Sequence, residues 1–399
     1  MPINLLKTSE ALKQFHLRHP LSGDKNNELL EIGDELLFYL LALLRKDVPV
    51  LPKVGLDQWK KLVGFLGPHG LIPLLFYEIS FLPLELQPPK EIIDSMRLIF
   101  LKNRMKQLNV DKQMKEILKA FEQNDIQVLA LKGVALARRI YKDPALRPTG
   151  DIDLLVEPEK VIKARDILAK IGYKPGTRMY ECFSYLYTDE QYYYFGKKHN
   201  YDMVELHWDI HPYSWIRMRG ELPKVLARAI TVEKERLVFK TLNPVDDLVY
   251  LAIHQMFTHN QDVRLIWLYD IAILAQQLSL PEGEEAIKKS RAWQGELGLK
   301  RCLELGALWF GIKAPDWARE LQPSKTEVKL YVSSGYLRNP LRNIGSPVLN
   351  FREKVGLLFH VIFPPPYYMR TRYAPASGWQ LPFSYMRRWW KLSGNIVKK

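Results

Sequence analysis

Cysteine is the scarcest residue that matters here: the 399-residue chain has two, Cys182 and Cys302. They lie far apart and show no metal-ligand spacing. That excludes a disulfide framework and a structural zinc site, and it suits a reduced compartment with free thiols. Long apolar runs are also missing. The most apolar stretch, Leu36–Leu44, is followed at once by Arg45 and Lys46. It is about half the ~20 residues that a membrane span needs. A second stretch, Val355–Phe363, contains His360 and ends at three prolines. Both read as buried helix segments. The opening Met-Pro-Ile-Asn-Leu-Leu-Lys has no apolar h-region and no cleavage site. The expected location is the cytoplasm. There is no internal repeat and no low-complexity tract.

What is present is an ordinary globular composition with an excess of positive charge. Apolar residues make up 47% of the chain, so a sizeable core is expected. Lys and Arg outnumber Asp and Glu by 58 to 44, a formal net charge of +14. That balance favours an anionic partner such as a nucleotide, a nucleic acid or a phosphorylated sugar. The length exceeds one typical core, so two or three packed units are expected.

The periodicity divides the chain into four regions. Residues 1–124 are predicted to be helical, with a long periodic segment over Glu91–Leu118. Residues 125–243 alternate strand and helix patterns: strands at Gln127–Leu131 and Asp151–Val156, with helices at Val134–Tyr141 and Glu159–Ile171. A hairpin is predicted from Gln191–Phe195 and Met203–Trp208, and a further strand at Leu237–Leu242. Residues 244–330 return to the helical period. Residues 331–399 form a basic arm rich in aromatics and proline, including Pro364–Tyr373 and Trp389-Trp390. An arm docked on its own domains is the favoured reading. The fold class is α+β, a small mixed sheet with flanking helices, preceded and followed by mainly helical regions.

One constellation carries chemistry. In Asp151-Ile-Asp-Leu-Leu-Val156 the two aspartates are two apart on a predicted strand and therefore share a face. Ile152 and Leu154 point into the core. Such a pair can hold one or two divalent cations, and Mg²⁺ commonly bridges carboxylates to substrate phosphates. Upstream, Leu131-Lys132-Gly133 reads as a strand-to-helix turn. Gly133 permits a sharp turn and close approach of a phosphate, the helix N-terminus offers N–H groups, and Lys132 adds a cation. Downstream, Glu205 alternates with the apolar residues of Met203–Trp208. On a neighbouring antiparallel strand it would complete the metal site or act as general base. His207 reads as a hydrogen-bonded histidine beside the site, and His254 and His259 as structural. Asp270 and Arg264 read as cleft residues or members of a structural salt bridge.

Leu131-Lys132-Gly133, then Arg147, then Asp151–Val156, then Glu205-Leu-His207-Trp208, closely resembles the uncharacterised nucleotidyltransferase family of the polymerase-β-like superfamily. The segment Arg264–Asp270 is similar too, and the resemblance spans roughly residues 55–300. It implies a metal role for Asp151 and Asp153, a third acidic role for Glu205, and a triphosphate turn at Gly133. It implies Mg²⁺ or Mn²⁺, a nucleoside triphosphate such as ATP as substrate, and an acceptor that is a small molecule, sugar phosphate, protein or RNA. The superfamily usually has Gly-Ser at the turn, where this chain has Gly133-Val134, so Lys132 is expected to take over the phosphate contact. Arg147 would neutralise phosphate charge with its guanidinium fork. Two other readings stay open: a catalytically inactive nucleotide-binding or interaction module that keeps the fold, and a nucleic-acid-binding protein using its basic surface.

Overall fold

The structure is a computed structural model. It describes residues 32–175, 190–195, 202–210, 221–258, 264–325, 327–328, scattered positions between 351 and 369, and 380–396. Among these residues a seven-stranded mixed sheet is flanked by helices. The strands are β1 (Val128–Leu131), β2 (Asp151–Val156), β3 (Lys174–Pro175), β4 (Glu190–Phe195), β5 (Met203–His207), β6 (Ile230–Lys234) and β7 (Leu237–Thr241). Their order across the sheet is β3-β4-β5-β2-β1-β7-β6.

Before the sheet come α1 (Asp34–Leu44), α2 (Leu56–His69), α3 (Ile72–Ile79) and α4 (Lys90–Glu122). Helix α5 (Lys132–Arg139) follows β1, α6 (Val161–Lys170) follows β2, and α7 (Leu222–Ala227) precedes β6. After the sheet come α8 (Pro244–Ile253), α9 (Leu265–Gln277), α10 (Leu280–Ala292), α11 (Glu296–Phe310) and α12 (Leu381–Ile396). No helix among the described residues is long and apolar enough to cross a membrane.

Period-two alternation gives the sheet two unlike faces. Ile152, Leu154 and Val156 of β2 join Val204 and Leu206 of β5 in a core shared with α6 and the second half of α4. The opposite face carries Leu129, Leu131 and Leu155 into the larger core, which includes α1–α3 and α8–α11. Asp151, Asp153, Glu205 and His207 lie on this second face. The helices before and after the sheet thus share the core that borders the acidic residues.

Strand β5 departs from expectation. It runs parallel to β2, with Asp153 opposite Glu205 and Leu155 opposite His207. The antiparallel neighbour of β5 is β4, as a hairpin requires. The Gly196–Asn200 turn between them lies outside the described residues. A parallel partner needs a long crossover, and the segment holding α6, β3 and β4 supplies it.

Strand β6 and its hairpin with β7 were not legible in the sequence. The turn residues Glu235 and Arg236 both have positive φ, 50° and 68°. Two such residues suit the twist of a two-residue hairpin, but neither is the glycine or asparagine that signals one. Helix α2 runs through Gly67-Pro68 and stops at Gly70 in the left-handed region (φ 71°).

Helix α4 positions the loop that feeds β2. Asn103 Nδ2 donates to Ala145 O at 2.5 Å, Lys106 Nζ to Thr149 O at 2.5 Å, and Gln107 Nε2 to Thr149 Oγ1 at 3.1 Å. Buried polar groups require such partners. Arg138 of α5 pairs with Asp111 of α4 at 2.5 Å, tying the helix after β1 to the same spine. At the far end of the chain, Met369 packs with Leu381 and Tyr385 in a small separate cluster. Trp389 Nε1 donates to Ile362 O at 2.7 Å.

Candidate active site

The site is assembled by register. In the antiparallel pair β1–β2, Leu131 stands opposite Asp153. The next residue, Lys132, therefore reaches across that carboxylate, and its Nζ lies 2.7 Å from Asp153 Oδ1. From the other side β5 brings two groups. His207 Nε2 lies 2.8 Å from the same Oδ1 and 3.7 Å from Glu205 Oε2. Asp153, Glu205 and His207 are all buried, and their potential ligand atoms lie within 4.8 Å of one another. Two carboxylate oxygens and an imidazole nitrogen at that spacing form a donor set fit for a divalent cation.

Burial and charge act on these groups in opposite directions. Burial alone would raise the Asp153 carboxyl. The Lys132 ammonium and the His207 hydrogen bond outweigh it and hold Asp153 well below the usual carboxylate range. Asp151, two residues earlier on the same face, is pushed up to about 6 by burial and by the charge of Asp153. Burial, and next the Lys132 charge, pull His207 down. A neutral imidazole is the form that binds a metal.

The turn after β1 is built differently from the sequence reading. The left-handed residue is Lys132 (φ 49°), not Gly133. For a side chain with a Cβ that conformation costs about 1–2 kcal/mol, and the Asp153 ion pair fixes it. Gly133 is demanded by packing instead. A Cβ there would sit 2.5 Å from Arg147 Nη1 and 3.1 Å from Thr149 Cγ2.

Arg147 itself is buried and committed to the helical layer. Its Nε and Nη2 donate to Asp270 Oδ2 at 3.1 and 2.8 Å, and Nη1 donates to Pro148 O at 3.1 Å. Tyr141 donates to the other oxygen of Asp270 at 2.7 Å. The guanidinium expected to meet phosphate therefore braces the Lys132-Gly133 turn against α9.

Of the seven residues singled out in sequence, the structure clusters Lys132, Asp153, Glu205 and His207. Asp151 is beside them, outside the three-donor group. Gly133 and Arg147 pack against each other at the turn. The place of His207 in the donor group was not read from the sequence, although a signal existed: Glu205 and His207 are two apart on one strand, as Asp151 and Asp153 are. Asp270 is 123 residues from Arg147, and no local pattern announces that pairing. Arg264 lies with its guanidinium carbon 4.8 Å from the centre of the Trp267 ring. His254 meets the same ring at 6.4 Å. His259 lies outside the described residues.

A mixed sheet flanked by helices, with acidic side chains on adjacent central strands beside a lysine at a strand-to-helix turn, is a fold of the nucleotidyltransferase type. The family model described as uncharacterised nucleotidyltransferase matches residues 56–311. The chain belongs to that family, and it is an enzyme of the nucleotidyltransferase class. Comparison with curated proteins finds no match. Solved structures similar over part of the chain include the following two. One is the solution structure of the antibiotic-resistance factor ANT(2'')-Ia, at 12% identity and a TM-score of 0.35, covering 48% of this chain and 96% of that one. The other is an antigenic nucleotidyltransferase-like protein from Paracoccidioides brasiliensis, at 15% identity and a TM-score of 0.31, covering 48% and 92%. Likeness at this level does not bear on the chemistry of the site.

Proposed function

We propose that this protein transfers a nucleoside monophosphate from a nucleoside triphosphate to an acceptor hydroxyl or phosphate. The acceptor oxygen bonds to the α-phosphorus, the bond from that phosphorus to the β-phosphate bridge breaks, and pyrophosphate leaves. The observation carrying this reading is the buried group of Asp153, Glu205 and His207, with ligand atoms within 4.8 Å of one another, in a chain of this family. Those three residues would hold Mg²⁺ or Mn²⁺, with Asp151 adjoining on the same strand face. When bound, the cation supplies charge neutralisation at the phosphates and lowers the pKa of an oxygen nucleophile.

The chain's own residues do the rest. Lys132, at the turn after β1, would offer its ammonium to the β- and γ-phosphates. Arg147 keeps the turn in place through Asp270 and Gly133. Asp151, outside the three-donor group, accepts the acceptor's proton. The proposed setting is the cytoplasm, where such substrates are available.

One observation favours a second reading. Lys132 Nζ already sits 2.7 Å from Asp153 Oδ1, where an ammonium neutralises the carboxylate as a cation would. In that reading the protein is an inactive module that retains the fold. Incubating the protein with each nucleoside triphosphate, Mg²⁺ or Mn²⁺ and an acceptor library, while following pyrophosphate, separates the two. Release that disappears in Asp153→Asn supports catalysis. Absence of both Mn²⁺ binding and turnover across all four triphosphates would establish the inactive module.

A further inference from the structure

Helix α4 has 33 residues and two finished faces. The inner face, including Met96, Val110, Met114, Ile117 and Phe121, is buried. The outer face carries Leu98, Leu101, Met105 and Leu108, which are 53%, 44%, 64% and 53% exposed. Their spacing of three, four and three residues is that of the apolar seam of a two-helix coiled coil. A contiguous row of large apolar side chains in water marks an interaction surface.

The seam continues in the same spacing with charge at both ends. Glu91 and Asp94 precede it, Lys112 and Lys115 follow it, and all four are exposed. That pattern selects an occupant. A second α4 laid antiparallel places Leu98 against Leu108 of the second copy and Leu101 against its Met105. The same register places Asp94 against Lys112 and Glu91 against Lys115. A parallel arrangement would instead set each acid against itself and each lysine against itself. In this register Lys102 faces Arg104 of the second copy, and Arg104 faces its Lys102, near the two-fold axis. Their long side chains extend into water there, where like-charge repulsion is small. The four attractive end pairs outnumber these two contacts.

We infer that the protein forms a two-fold homodimer through an antiparallel pairing of the outer faces of α4. The pairing runs from residue 91 to residue 115, about 37 Å at 1.5 Å per residue. It is independent of the catalytic reading.

Sedimentation velocity on the full chain tests this. A concentration-dependent dimer is expected. Leu101→Asp should make the protein monomeric with an unchanged circular dichroism spectrum, because the side chain is exposed in the monomer, and with a Tm that no longer depends on protein concentration. Asp94→Lys should weaken association roughly tenfold, and Asp94→Lys combined with Lys112→Asp should restore it. In a Cys182→Ser background, Leu98→Cys/Leu108→Cys should form a disulfide-linked dimer on mild oxidation. Those two positions are about 15 Å apart within one helix, beyond the reach of an internal bridge. A monomer at every concentration overturns the inference. So does a dimer indifferent to Leu101→Asp, or one cross-linked by Leu98→Cys alone, because only a parallel pairing sets Leu98 against itself.

Discussion

Two buried charge clusters lie on either side of the Lys132-Gly133 turn, and they are built on opposite principles. Around Asp153, three carboxylates gather near one ammonium and one imidazole, because Asp151, Asp153 and Glu205 share a sheet face with Lys132 and His207. Around Arg147, one guanidinium meets one carboxylate through two hydrogen bonds to the same oxygen, and the remaining carboxylate oxygen accepts from Tyr141. The second cluster is balanced and closed. The first has more carboxylates than cations, two of them at ligand distance from His207. A balanced buried pair holds structure together, while an acid-rich one is suited to a cation.

The largest difference between the clusters should appear on removing one carboxylate. Asp270→Ala leaves Arg147 buried and uncompensated, and should cost about 3–5 kcal/mol in denaturant unfolding. Asp153→Asn should cost much less stability, because Asp151 and Glu205 remain to face Lys132. Its effect should be on Mn²⁺ affinity and turnover, lowering them by more than about 100-fold, since even residues that merely support metal ligands contribute 10–100-fold. If the two variants lost equal stability, the contrast between the clusters would fail.

Gly133→Ala probes the seam between them. The added methyl meets the Arg147 fork and Thr149, and overpacking there should cost about 1–3 kcal/mol. Pairing Gly133→Ala with Asp270→Ala should then give less than the sum of the two losses, because both act through Arg147. Strict additivity in unfolding experiments would show that the brace is not shared.

The smallest effect concerns a carboxylate with no ion-pair partner among the described residues. Glu327 is buried like Asp153, but it accepts from the Leu297 amide at 2.7 Å rather than from an ammonium. Burial pushes it up to about 7 from its usual 4.5. The folded value lies above the unfolded one, so the folded state binds the extra proton between them. The corresponding stability is present below about 4.5 and is lost as the pH rises through about 7. Glu327→Gln should therefore flatten the decline in Tm over that window. An unchanged pH profile would remove Glu327 as its source.

Much of the site was legible because strand periodicity is local. Asp151 with Asp153, and Glu205 with His207, are each two apart, and alternation alone puts each pair on one face. The apolar residues between them identified the buried face with equal directness. The direction of β5 was not legible, because the identity of a strand's neighbour depends on the crossover that precedes it. Nor was the hairpin at Glu235-Arg236, whose residues carry no turn signature. At the Lys132-Gly133 turn the left-handed conformation falls on the lysine, not the glycine. Glycine suggests positive φ, but here Gly133 is needed for the Arg147 approach and Lys132 adopts the left-handed conformation.

Sequence by itself determined which residue types stand at the site, which strand face they occupy, and the family whose motifs they match. Tertiary structure alone decided that Lys132, Asp153, Glu205 and His207 converge on one place, and that Arg147 is spent on Asp270. The reason is distance along the chain. Periodicity is set by neighbouring residues, whereas an ion pair across 123 positions exists only after two layers have packed.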